Sequence, residues 1–153
     1  MHRRTLTLAA AAMLSAPAAV FAQSGDKIVR IGVLMGDLST RQEEQALVDG
    51  LREQGLVDGR NLIIERRYGD SELSLVPGYA RELSTMNLGA VISTCTPTTL
   101  IAQKVFGSTP QSTPIIMAAA ADPVGQKIIS SLAHPGSNVT GLASQAEDSC
   151  PRC

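Results

Sequence analysis

Residues 114–141, PIIMAAAADPVGQKIISSLAHPGSNVTG, carry a strand, a helix start, a helix stop and a second strand in unbroken succession. PIIMA is a short apolar run of the kind buried in a parallel sheet. Asp122 followed by Pro123 reads as an N-cap and then the first helical position, where proline loses nothing because that N–H has no intrahelical partner. Gly125, Ile128, Ile129 and Leu132 recur at i, i+3, i+4 and i+7, so the spacing predicts a helix with one apolar face. Pro135 and Gly136 end it, and NVTGL restarts a strand. Parallel strands need a crossover of about this length between them.

The same alternation extends upstream. IVRIGVLMG, residues 28–36, gives a first strand, and Thr40 with Glu43 has the spacing of a capping box. The helix that follows places Ala46, Leu47, Gly50 and Leu51 on its expected inner face and stops at Gly55. Asp58-Gly59 suits a tight turn into NLIIERRY, residues 61–68. Pro77 sits in the first turn of a second helix, with Val76, Tyr79, Ala80, Leu83 and Met86 at helical spacing. AVIST is a third strand, TPTTLIAQKVF a third helix, and GSTPQST a loop before the opening stretch. Strict alternation of apolar strands and helices predicts an α/β fold, a doubly wound parallel sheet of five strands and four helices.

A chain of 153 residues is enough for one such domain. Its first residues stand apart. Arg3 and Arg4 precede the apolar run LTLAAAAMLSAPAAV, and Val20-Phe21-Ala22 puts small residues at cleavage positions, which together read as a secretory signal peptide over residues 1–22. A membrane anchor is the rival reading, but the run is short of the about 20 apolar residues a span needs. Cleavage after Ala22 exposes no cysteine for lipid attachment, so the expected location is free in the periplasm; Arg3-Arg4 leaves both general and twin-arginine export open. With 13 basic against 14 acidic residues, two Tyr, two Phe and no Trp, neither a basic stripe nor a stacking platform points to nucleic acid. The last residues, QAEDSCPRC at 145–153, are polar and follow no helical or strand period.

The strand leading into DPVG, then a helical segment, then PGSNVTG, resembles the first lobe of the ABC-transporter substrate-binding proteins of the tryptophan/tyrosine type. The resemblance runs from about Lys27 to Ser144. It implies the N-terminal lobe of a type I periplasmic binding protein over residues 23–144, with the second lobe missing and 145–153 an aberrant tail. It further implies a small amino-acid-like ligand, no cofactor, no enzymatic chemistry, and an ABC permease as partner. A truncated and impaired importer component is the resulting expectation. A nonfunctional or interaction-only remnant and a secreted α/β enzyme are the alternatives.

In open parallel sheets, ligands bind at the carboxyl ends of the strands. That edge collects residues 36–40, 94–99 and 119–122, and hydroxyls dominate it through Ser39, Thr40, Thr94, Thr96, Thr98 and Thr99. The start of the third helix also offers backbone N–H groups to an anion such as a carboxylate. Threonines at a helix start serve equally as caps. The resemblance implies that the TPTT loop touches the ligand, which selects Thr94, Thr96, Thr98 and Thr99, with Ser39 beside them. Asp122 reads as an N-cap or as the contact for a ligand ammonium; Asp37 is another acid near the same edge.

Catalytic and metal residues are not expected. His2 lies in the leader and His134 precedes a proline at a helix end, so neither is placed as a base. GVLMG and DPVG are too sparse in glycine for a dinucleotide cradle. Cys150 and Cys153 have redox or metal spacing but lack a helix start that would lower a thiol pKa. Cys95 is expected as a small buried apolar residue.

Overall fold

The computed structural model describes residues 28–36, 41–109 and 112–144, so the leader, residues 37–40 and the tail at 145–153 lie outside it. The described residues form β1 (Val29–Met35), α1 (Arg41–Glu53), β2 (Leu62–Tyr68), α2 (Val76–Ser84), β3 (Ala90–Ser93), α3 (Thr96–Phe106), β4 (Ile115–Ala121) and β5 (Val139–Ser144). The strands make one parallel sheet in the order β2-β1-β3-β4-β5. After β2 the chain crosses back over β1, so the winding reverses between β1 and β3. Right-handed crossovers then put α1 on one face and α2 and α3 on the other.

Strand alternation builds a core on each face. Ile31, Val33 and Met35 of β1 join Leu62, Ile64 and Ile92 beneath Leu47, Val48 and Leu51 of α1. Leu34, Val91, Ile115, Met117 and Val139 face the other way, against Val76, Ala80 and Leu83 of α2 and Ala102 and Phe106 of α3. The expected inner face of α1 needs correcting: Leu47 and Leu51 turn inward, but Val48 replaces Ala46 and Gly50, which are exposed. Val48 brings more apolar area to the sheet than either small residue, and area removed from water decides the rotation.

The predicted fourth helix does not form. Pro123 begins a turn in which the Ile128 N–H donates to the Pro123 carbonyl at 2.9 Å, but Lys127 adopts φ 58°, and no helical ladder continues. The left-handed residue sends both Ile128 and Ile129 into the core, at 1% and 5% exposure, while Leu132 stands 68% exposed. Burying two adjacent isoleucines outweighs a few helical hydrogen bonds in a segment already weakened by Gly125 and a β-branched pair. β5 then packs so closely on β4 that a Cβ at Gly141 (φ 134°) would collide with the backbone of Met117. Glycine is required there.

At the opposite edge, successive β2 arginines clamp the two layers. Arg66 points to the α1 side and pairs with Glu44 (2.5 Å) and Asp58 (2.8 Å), and the Tyr68 hydroxyl donates to Glu44 at 2.6 Å. Arg67 points the other way and pairs with Glu82 of α2 at 2.5 Å.

Candidate functional site

The winding reverses between β1 and β3, and in open parallel sheets the carboxyl ends of the strands at such a point are where ligands bind. Gly36 lies there at the end of β1, close enough to α3 that a Cβ on it would stand 3.5 Å from both Cys95 Sγ and Thr98 Cγ2. The loop after β2 closes over the same point. Its Gly69 N–H donates to the Met35 carbonyl at 2.8 Å and its Ser71 N–H to the Gly36 carbonyl at 3.0 Å.

Cys95, in extended conformation, is the N-cap of α3. Its Sγ accepts from the Thr98 N–H, and the Thr98 hydroxyl in turn accepts from the Cys95 N–H at 3.3 Å. Cys95 is buried, as its sequence context suggested, and in addition ties down the helix start. Thr99 donates to the Cys95 carbonyl at 2.8 Å and meets the buried Ser93 hydroxyl at 2.7 Å. Thr98 and Thr99 are therefore wholly buried and turned inward. Thr96 does something else: its hydroxyl accepts from the Ala121 N–H at 3.0 Å, joining the start of α3 to the end of β4.

Among the four threonines, Thr94 alone has a hydroxyl with no hydrogen bond among the described residues; the residue is 7% exposed. Pro97 has no N–H, and the capping box occupies those of Cys95 and Thr98. What the start of α3 offers an anion is accordingly narrow, the Thr96 N–H and the Thr94 hydroxyl. Asp122 accepts from the Gly125 N–H through one carboxylate oxygen at 2.9 Å, so it does cap its turn. The other oxygen makes no hydrogen bond among the described residues. Ser39 and Asp37 lie outside the described residues.

Sequence reading passed over the loop after β2. Asp70 and Ser71 there, and Asp122 after β4, have φ of 49°, 69° and 39°. Non-glycine residues in that region are costly and gather at binding sites. The signal available was the turn-rich run GDSE directly behind a strand. The groups with shifted titration lie instead at the edge strand and its partner on α2. Burial opposes the charge on Arg66, but hydrogen bonds to Asp58 and Glu44 outweigh it and hold the guanidinium above its ordinary range. The hydrogen bond from Arg67 holds the Glu82 carboxyl below its ordinary range. Among the described residues, no three His, Cys, Asp or Glu side chains gather as a metal ion would require.

Known proteins share this architecture. A "Tyrosine-binding protein" of Clostridioides difficile is 27% identical over 117 residues, 76% of this chain and 33% of its own. A crystal structure of a conserved domain protein from Vibrio cholerae matches with TM-score 0.68 and 29% identity, covering 76% of this chain and 39% of that one. The structure of an ABC domain in complex with L-Trp from Streptococcus pneumoniae matches with TM-score 0.67 and 28% identity, over 75% of this chain and 38% of that one. The chain thus spans between a third and two-fifths of the length of these relatives. A family model described as "ABC transporter substrate binding protein" matches residues 29–149, and with so much of the sequence covered the chain belongs to that family.

Proposed function

We propose that this chain supplies one wall of the binding cleft of an exported solute receptor for an ABC importer, and that its ligand is an aromatic amino acid such as tryptophan or tyrosine. The reading is supported by the L-Trp complex and the tyrosine-binding relative. The observation that carries it lies at the carboxyl ends of β3 and β4, where the Thr94 hydroxyl has no hydrogen-bond partner among the described residues and Asp122, with a positive φ, engages only one carboxylate oxygen. Thr94 and the Thr96 N–H take the ligand carboxylate, and Asp122 takes its ammonium. Ser39 adds a hydroxyl from the loop after β1. Thr98 and Thr99 act from behind, by holding the loop in shape. The protein binds and releases without bond-making, delivering its ligand to a membrane permease from the periplasm after cleavage behind Ala22. The opposite wall of the cleft belongs to a second lobe.

Calorimetry with L-tryptophan and L-tyrosine tests this on residues 28–144 joined to the second lobe of the Streptococcus relative. Thr94→Val and Asp122→Asn each remove a hydrogen bond to a charged group, worth roughly 1.5–3 kcal/mol and so about a tenfold to hundredfold loss of affinity. Retained affinity in both variants, or no binding of either amino acid to the parent, would overturn the assignment.

A further inference from the structure

Strand β4 outruns its neighbour. Its pairing with β3 ends where Ser93 meets Met117, yet β4 continues to Ala121. In a parallel ladder, evenly spaced slanted bonds tie each such N–H and C=O to the strand alongside. Beyond β3 a single side chain takes that place for Ala121: the Thr96 hydroxyl accepts from its N–H at 3.0 Å and donates to its carbonyl at 3.4 Å. That carbonyl belongs to the same peptide unit as the N–H of Asp122, the residue that leaves the strand at φ 39°. A second device holds the carboxylate. The Gly125 N–H donates to one of its oxygens at 2.9 Å, and a Cβ on Gly125 would overlap the carboxyl group of Asp122. Gly125 has no positive φ, so the position calls for a missing side chain and not for backbone freedom.

We infer that the Thr96 hydroxyl and Gly125 are positioning residues for Asp122: together they set its second carboxylate oxygen at a fixed place relative to the start of α3, and so make this lobe selective for α-amino acids over acids that lack the ammonium. The inference rests on the reading of Asp122 as the ammonium contact. One carbon separates ammonium from carboxylate in an α-amino acid, so the donors for one and the acceptor for the other must keep a set spacing. Thr96 serves both ends: its N–H goes to the ligand carboxylate, and its hydroxyl holds the peptide in front of Asp122. Gly125 works from the other side, because a residue without Cβ lets the carboxylate lie against it. A cap alone asks for less. A capping carboxylate needs one N–H and ordinary extended backbone, whereas Asp122 is kept in a costly conformation by a contact from another helix. Binding groups have to be held within about 0.5 Å of their productive geometry, and two such contacts supply that.

A double-mutant cycle by calorimetry on the two-lobe fusion, with L-tryptophan as ligand, reads this directly. Thr96→Val and Gly125→Ala should each weaken binding at least about fivefold, and either one added to Asp122→Asn should cost less than about a further twofold, because both act through that carboxylate. Thr96→Ser, which keeps the hydroxyl, restores the affinity. Indolepropionate, with hydrogen in place of the ammonium, should bind both single variants within about twofold of the parent. Gly125→Ala carries the test where loss of the Ala121 hydrogen bonds impairs folding, since its Cβ displaces only the far end of one side chain. Losses that multiply with that of Asp122→Asn, equal losses for the two ligands, or full affinity in either Thr96→Val or Gly125→Ala would each overturn the inference. In those cases the parent still binds L-tryptophan and Asp122→Asn still weakens it, so the reading of the cleft stands. A parent that fails to bind L-tryptophan, or an Asp122→Asn variant that binds it unchanged, removes that reading and this inference together.

Discussion

A threonine hydroxyl at a helix start has two possible customers, its own backbone and a ligand, and the geometry separates them one residue at a time. Thr99 shares its hydroxyl between Ser93 and the Cys95 carbonyl, all of it buried. Thr99→Val leaves the Ser93 hydroxyl without that partner in the core, which should cost about 1–3 kcal/mol in urea denaturation. Thr94→Val removes a hydroxyl with no partner among the described residues, so the same measurement should stay within about 0.5 kcal/mol of the parent. If the two substitutions cost the same, the division between support and contact is wrong. Gly141→Ala belongs at this scale too. A positive φ combined with backbone overlap at Met117 should destabilise by on the order of 3 kcal/mol or more.

Among the elements, all five strands were legible because each carries apolar residues between turn signals, and α2 and α3 because proline marks their starts. The segment between β4 and β5 carried an equally good helical period and is not a helix. Periodicity says which residues want burial, and the structure buries Ile128 and Ile129 by a left-handed Lys127 instead. Lys127→Gly tests that account. Relief of a conformation costing an L-residue about 1–2 kcal/mol, less the extra chain entropy of glycine, should stabilise the fold by up to about 1 kcal/mol. The candidate site divided in the same way: the residue types at the carboxyl edge were readable, whereas hydroxyl direction and the positive φ of Asp70 and Ser71 depend on backbone geometry that composition does not encode. The charged β2 edge supplies a pH test. Arg67 lowers the Glu82 pKa from an ordinary value of 4.5, so the folded state binds this proton less readily than the unfolded chain. Stability from the pair is therefore complete above that value and is lost as pH falls through the depressed one. In acid titration followed by circular dichroism, Glu82→Gln should flatten the loss of stability below about pH 4.5 and leave the neutral range little changed, since exposed pairs contribute little.

For the molecule as a whole, the decisive quantity is how much of a cleft one wall makes. An aromatic side chain buries roughly 150–250 Å² when enclosed. Against a single lobe about half of that stays in water, and at about 25 cal/mol per Å² the forfeited burial is roughly 2–3 kcal/mol. Hydrogen bonds from the opposite wall are lost in addition. Since about 2.7 kcal/mol is a factor of one hundred, the 153-residue chain should bind L-tryptophan at least a hundredfold more weakly than its fusion to a second lobe. Thermal melts give the same comparison through linkage. At a ligand concentration one hundred times the Kd of the fusion, its stability should rise by about 2.7 kcal/mol, while the single lobe at that concentration gains under about 0.5 kcal/mol. Equal shifts in the two proteins would place the whole site within this one lobe rather than between two.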